Sequence, residues 1–379
     1  MNSVESVKSG KDPDIDTVES VKSGKKSGKD KKGKKQPVIR ILVAAHKRAY
    51  APPNRLIRLV QAGSALAEEH LPGMLHDDVG DHISDRNRTY CELTVQYFAW
   101  KNLEADYYGF FHYRRYMSFA KEYPVAAGSY GNPMDLPGRK AQERGLSGRQ
   151  LQERGLFGRQ LQGKGLDGKP FVRPYLEADS LRGDLSDYAL EETHIRAVVE
   201  KYDVLTVLPE RMNVTVYQHF CQFHDRADLD RMIRILKTRR PEYAAACDRY
   251  MGSRSIYFCN MYIMRREYFR AYMEWLFPLL EEFEAGKDFG GCKAKQMRVT
   301  GYLAERLFGV YYTRLREQGN VRCCELQYVI FHRNIRRFRL WRHGPQIAVD
   351  MKKVNGLFPP GSLQRRILRT LAGRPWLNT

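Results

Sequence analysis

The chain has 379 residues, 42% hydrophobic and 12% aromatic, an ordinary globular composition with enough apolar material for one large or two medium cores. No run reaches the length of a membrane-spanning helix, and the opening "MNSVESVKSGKDPD" lacks the apolar centre of a secretory signal, so the expectation is a cytosolic protein. The net charge of +20 sits on appendages: residues 1–36 carry 10 Lys against 6 acids, 138–169 carry 8 Lys/Arg against 3, and 333–379 carry 11 against 1. What remains is nearly neutral, which argues against a nucleic-acid enzyme with a basic core surface and fits attachment to an anionic membrane face.

Residues 1–36 contain "VESVKSGK" twice and then "KSGKDKKGKK", a Lys/Gly/Ser-rich tail that reads as disordered. Order is expected from residue 37 to 331, beginning with a buried strand over Val38–Ala45. A polar loop, Asp77–Asp85, leads to a helix over Thr89–Leu103 with Cys91, Val95, Phe98 and Leu103 on its apolar side. Asn87 or Thr89 can cap that helix, with Glu92 in capping-box relation to Thr89. Tyr107–His112 reads as a strand. Three decapeptides starting at Gly138, Gly148 and Gly158 form a glycine-broken insertion over 137–170, read as an expanded surface loop.

Beyond it come a helix at Glu191–Lys201, a strand at Asp203–Leu208, and helices at Val216–Phe223, Asp228–Lys237 and Glu242–Tyr250. A strand over Ile256–Met264 and long helices at Arg265–Phe283 and Val299–Glu317 complete the set. Strands alternating with helices predict an α/β fold with a mainly parallel sheet, whose ligands bind at the carboxyl ends of strands. The extension at 332–379 ends in "PPGSLQRRILRTLAGRPWL", an amphipathic helix that suits an anionic bilayer surface or a core face equally well.

Three strand ends carry chemistry: Ala45-His46-Lys47, His112-Tyr113-Arg114-Arg115 and Leu208-Pro209-Glu210. His46 and Lys47 either reach the crevice or solvate a turn. Arg114 and Arg115 offer bidentate contacts to phosphate, but adjacent residues on an extended segment point to opposite faces, so at most one serves a ligand. His112 can donate to phosphate or polarise a leaving group. Asn260 lies inside an apolar run and needs a partner, either neighbouring backbone or a hydroxylated ligand. Glu305 sits beside the apolar stripe of the last helix, as a general base or a solvated acid. The acidic loop lacks the spacing of an EF-hand and reads first as loop solvation, second as a divalent-cation site. Seven scattered cysteines with no C-x-x-C exclude a zinc ribbon and a disulfide framework.

Taken together, "ILVAAHK", "GDHISDRNRTYCELTVQYFAWKN", "DYYGFFHYRRYMSF", "YMGSRSIYFCNMYIMRREYFRAYMEWLFPLL" and "GYLAERLFGVYY" resemble a bacterial capsular and exopolysaccharide glycosyltransferase family first catalogued as a domain of unknown function. The resemblance covers about 39–317 without the decapeptide loop, and departs from the pattern at His82, where Asn is expected. It implies a GT-A-like nucleotide-binding domain with a helical acceptor region. The implied partners are a UDP-linked sugar donor (galactofuranose in some members), a lipid-linked glycan acceptor and the inner membrane face, with no nucleic acid. The roles implied are Glu305, then Asp81, as base, with His112 and Arg114 or Arg115 replacing a metal at the diphosphate. His46, Lys47 and Asn87 join the donor site, while Asn260 and Glu92 contact sugar. No cofactor is expected, a Mn²⁺ or Mg²⁺ ion being the alternative. The competing classes are a basic nucleic-acid-binding protein and a non-catalytic membrane scaffold.

Overall fold

The apolar run after Pro37 becomes the strand on which the sheet is built. The structure, a computed structural model, describes residues 36–126, 172, 174–178, 180–182 and 184–331, the backbone of strands Ile335–Arg339 and Gln346–Asp350, and residues 363–364. The expectations for the N-terminal tail, the decapeptide loop and the C-terminal amphipathic helix lie outside the described residues, apart from those last few positions.

In chain order the strands are β1 (Ile39–Ala45), β2 (Ile57–Gln61), β3 (Leu75–His76), β4 (Tyr107–His112), β5 (Arg115–Pro124), β6 (Tyr175–Ala178), β7 (Val204–Val207), β8 (Glu210–Arg211), β9 (Ser255–Ile256), β10 (Tyr262–Arg265) and β11 (Cys323–Phe331). The helices are α1 (Asn87–Tyr90), α2 (Leu93–Asn102), α3 (Glu192–Val199), α4 (Val216–Phe223), α5 (Arg226–Arg239), α6 (Ala244–Gly252), α7 (Arg266–Ala285), α8 (Ala294–Met297) and α9 (Val299–Gln318). β1 is apolar along almost its whole length because both its faces are covered. Leu42 and Ala44 join Phe110, Phe269 and Leu303 on the side of α7 and α9, while Ile41 and Val43 join Phe111, Ile195 and Val329 on the side of α3 and β11.

The sheet is mixed, which corrects the expectation of a mainly parallel one. β3, β2, β1 and β4 run parallel, β1 and β2 being joined by a helix-free loop and β3 and β4 by a crossover through α1 and α2. β5 returns after only Tyr113 and Arg114, so it must be antiparallel to β4, and β10 pairs antiparallel with both β4 and β7. β7 pairs parallel with β11, and β11 pairs antiparallel with β5. β4, β10, β7, β11 and β5 thus pair in a closed circuit.

Two expected elements are broken. The helix predicted from Thr89 divides at Cys91, whose φ of 53° ends α1. Neither Asn87 nor Thr89 caps it; Thr89 Oγ1 donates back to the Arg86 carbonyl, and Glu92 is free to turn elsewhere. The strand predicted over Ile256–Met264 divides into β9 and β10 around Cys259 and Asn260, both in the left-handed region. β5 and β11 were not expected from the sequence.

The acidic loop is organised by one residue. Asp77 is fully buried and accepts from the Gly63 and Ser64 amides at 2.9 Å and from the hydroxyls of Ser84 and Thr94. Its charge is met by donors from two loops and α2, as a buried carboxylate requires. Asp78 pairs with His70 at 2.8 Å. Among the described residues no group of three or more His, Cys, Asp or Glu could hold a metal ion, and no helix is long and apolar enough to cross a membrane.

Gly109 sits where β4 is flanked by Ile41 and Ile263, and a Cβ there would lie 2.9 Å from Ile263 Cγ1 and 3.0 Å from Ile41 Cγ1. Gly109→Val is therefore expected to lower unfolding free energy by about 1–3 kcal/mol in urea titration, with the slope unchanged.

Candidate active site

A cavity of about 590 Å³ opens at the carboxyl ends of β1 and β4. Strand ends give it Ala44, His112 and Arg115; the α1–α2 junction gives Cys91, Glu92 and Gln96; the turn before β10 gives Phe258, Cys259 and Asn260; and α9 gives Gly301, Tyr302, Glu305 and Arg306. Gly301 lets α9 approach α1, since a Cβ there would meet Cys91 Sγ at 3.2 Å.

The left-handed turn at Cys259–Asn260 ties two carboxylates together. The Cys259 amide donates to Glu305 Oε1 at 2.8 Å, and Asn260 Nδ2 donates to Glu92 Oε1 at 2.8 Å. Arg306 Nη1 reaches Glu305 Oε2 at 3.3 Å. Asn260 is 3% exposed, and its Oδ1 has no hydrogen-bond partner among the described residues. Burial pushes the Glu305 carboxyl up, against the pull of Arg306, the Cys259 amide and Arg115. Burial and then the charge of Glu305 push Glu92 up, against its bond from Asn260. A third acid, Glu210, is likewise raised by burial and accepts from the Tyr328 hydroxyl.

Cations line the same cavity. Arg115 Nη1 lies 3.4 Å from His112 Nδ1. Burial, then Arg115, Arg114, His46 and Arg298, depress the His112 imidazole to about 3, so it is neutral near pH 7 and presents a donor and an acceptor rather than a charge. Arg298 Nε lies 3.2 Å from Cys91 Sγ. Of the two adjacent arginines one faces inward: Arg115 lines the cavity, and Arg114 lies over the Tyr113 ring at 5.2 Å.

Among the residues singled out from sequence, the structure brings Glu305, Glu92, Asn260, His112 and Arg115 to one cavity. Five others do not line it. His46 and Lys47 are exposed beside Tyr113, the His46 ring edge-on at 5.4 Å and Lys47 Nζ 5.3 Å from the ring centre. Arg114 is with them. Asn87 donates to the Cys91 carbonyl at 2.7 Å and fixes the helix break instead. Asp81 is exposed, accepts from the Tyr97 hydroxyl at 3.1 Å and is 3.9 Å from Lys101. Sequence reasoning did not single out Arg298, Lys295, Arg306, His219, His224 or Tyr328 as site residues. Glu210 was marked only as a strand end. The arginines lie in helical stretches where solvated cations are the rule, and His219 and His224 reach the cavity only because α4 packs across from α9.

Residues 40–317 match the family model described as "Domain of unknown function (DUF4422)". The chain belongs to the DUF4422 family. A solved structure of the bifunctional glycosyltransferase WbbM in its apo form is similar to it, at 25% identity and a TM-score of 0.59, over 78% of this chain and 45% of that one. The DUF4422 chain thus spans less than half the length of that protein. No curated protein matches its sequence.

His112, His219 and His224 all have imidazoles depressed by burial, the last two to about 4. Folded imidazoles that resist protonation lend stability that is fully present above the unfolded value of 6.5 and is lost as pH falls toward 4 and 3. The raised carboxyls of Glu92, Glu210 and Glu305 act with the opposite sign, their contribution being present below the ordinary value of 4.5 and lost as pH rises above it. His224→Gln is therefore expected to flatten the decline in unfolding free energy between about pH 7 and pH 5 relative to wild type, read by urea titration at each pH.

Proposed function

We propose that this protein is a glycosyltransferase that uses a nucleotide-linked sugar, with its donor diphosphate at the His112–Arg115 corner and its base at Glu305. The observation that carries the proposal is the make-up of the cavity: a buried carboxylate, Glu305, and the unpartnered side-chain oxygen of Asn260 share about 590 Å³ with the His112–Arg115 pair. Likeness to WbbM, a bifunctional glycosyltransferase, supports the reaction class. A parallel half-sheet with its ligand site at the carboxyl ends of β1 and β4 is what a GT-A-like donor site would use.

In this reading the acceptor hydroxyl oxygen attacks the anomeric carbon. The bond from that carbon to the phosphate oxygen breaks, and its electron pair leaves with the nucleoside diphosphate. The hydroxyl proton passes to the Glu305 carboxylate. Arg115 and Arg298 meet the charge that develops on the departing phosphate, and neutral His112 donates a hydrogen bond to it. The Asn260 carbonyl and Glu92 accept from sugar hydroxyls, which would satisfy the orphaned Oδ1. Fixed cations aimed at a leaving phosphate can do the task of a metal ion, so no divalent cation is assigned a step. The UDP-linked donor (galactofuranose among the options), the lipid-linked capsule or exopolysaccharide acceptor, and work at the inner membrane face all belong to this proposal and rest on the family resemblance.

The test is release of UDP from a panel of UDP-sugars by the full chain with a lipid-linked glycan acceptor, in buffer with excess EDTA. Turnover with at least one donor is expected; loss of all activity in EDTA, restored by Mn²⁺, sinks the metal-free version. If no nucleoside diphosphate raises the melting temperature and none is released, the transferase reading fails.

Glu305→Gln is expected to lower kcat by about 10³-fold with KM for the donor little changed. Because the base must be ionised and its carboxyl is raised, wild-type activity should fall as pH drops through a value above the ordinary carboxylate range, and this limb should vanish in the variant. Arg115→Ala should cost about 10²-fold in kcat, measured by the same release assay.

A further inference from the structure

The end of the cavity away from β1 has a different character. It is built from α4, α8 and α9, with His219, Phe223 and His224 facing Lys295, Tyr302 and Arg306. Aromatic faces and basic groups alternate here: His224 lies 4.2 Å from the Tyr302 ring, and Lys295 Nζ lies 5.5 Å from the centre of Phe223. Phe223 is among the more exposed large hydrophobics, at 36%. Arg306 is 3% exposed; it gives Nη1 to Glu305 and Nη2 to His219 at 3.2 Å, and its Nε has no partner among the described residues. Lys295 forms no ion pair among the described residues. Arg306 is thus paired with Glu305 yet keeps one buried N–H without a partner among the described residues, and the Lys295 ammonium lines the same end of the cavity, so positive charge there exceeds what Glu305 meets.

This end draws mainly on other cations than the leaving-group corner. Besides burial, His219 feels Arg306 and His224, and His224 feels Lys295 and Arg306, whereas His112 feels Arg115, Arg114, His46 and Arg298. Arg298 reaches both, its guanidinium 5.5 Å from the centre of the Tyr302 ring. Arg306 also stands between Glu305 and His219, so an anion bound beyond it is shielded from the base.

We propose that the acceptor carries an anionic group, a carboxylate or a phosphate, that docks among Lys295, Arg306 and the two histidines of α4. A sugar ring packs on Phe223 and Tyr302, and an accepting hydroxyl is thereby presented to Glu305. This rests on the glycosyltransferase reading given above. The anion comes either from the sugar itself, as a uronate, or from the diphosphate of a lipid carrier.

The experiment is isothermal titration of the full chain with methyl glucuronide, methyl glucoside, farnesyl diphosphate and UDP, repeated on Lys295→Glu. Lys295 is exposed, so this substitution leaves the fold intact. At least one anionic probe is expected to bind the wild type at least about tenfold more tightly than methyl glucoside, and to lose that advantage in the variant, with UDP affinity held within about twofold. A preference for glucuronide places the charge on the sugar; a preference for farnesyl diphosphate places it on the carrier. Equal binding of charged and neutral probes overturns the proposal. So does a loss of UDP affinity in Lys295→Glu equal to that of the anionic probe, which would make this end part of the donor site. Failure of UDP to bind the wild type counts against the transferase reading alone, because the glucuronide and glucoside arms compare charge without a nucleotide.

Discussion

The site depends on two consecutive residues held in a backbone conformation that neither prefers. Cys259 and Asn260 have φ values of 74° and 47°, a strain of about 1–3 kcal/mol per residue. A regular strand would have spent the Cys259 amide on a neighbouring strand and turned Asn260 to one face of the sheet. The left-handed turn instead aims the amide at Glu305 and the side chain at Glu92. The strain is offset in part by the two hydrogen bonds the turn makes to the buried carboxyl groups. The same turn leaves the Asn260 carbonyl unspent, so the polar surface offered to a ligand and the posture of both acids have one origin.

Electrostatics then divides the cavity. Burying Glu92, Glu210 and Glu305 near one another is unfavourable, and it is tolerated because Arg115 and Arg306 face them and because amides and hydroxyls supply donors. Burial first, and the cationic groups second, hold the histidines neutral in a field that would welcome an anion. An empty site arranged this way is already polarised for a negatively charged ligand, with little reorganisation left to do when the ligand arrives. Opposed pKa shifts in a single cavity are also the pattern that separates functional ionisable groups from surface ones.

Much of the architecture is legible in the sequence where burial is complete on both faces. β1 and β4 read as strands because few polar side chains interrupt them, and α4, α7 and α9 show their apolar stripes. β5 was hidden because its first residue is an arginine and its second half alternates with Lys121 and Glu122, so the histidine–arginine corner looked like an end when it is a hairpin. The break at Cys259–Asn260 was hidden because the residues around it are apolar in any conformation; only Asn260 itself looked out of place. Glu305 could be picked out beside a helical stripe, but its neighbour Arg306 could not, since an arginine on a helix is ordinarily solvated and this one is enclosed. In the acidic loop the sequence reading favoured Asp81 among four aspartates, and only three-dimensional packing distinguishes Asp77, which holds the loop, from Asp81, which faces water.

The pairing of five strands into a closed circuit has a bearing on how molecules come and go. β4 is held by ladders to β1 and β10 and β5 by its ladder to β11, so the strand ends that carry His112 and Arg115 are braced from several sides. The opposite wall is helical: α4 and α8 are short, α4 being anchored by the Val216 amide donating to the Ser253 carbonyl at 2.8 Å and by the buried Val216 and Phe220. The cavity is therefore bounded on one side by hydrogen-bonded strands and on the other by short helices, so substitutions in α4 and α8 reshape its mouth while leaving the ladders that place His112 and Arg115 as they are.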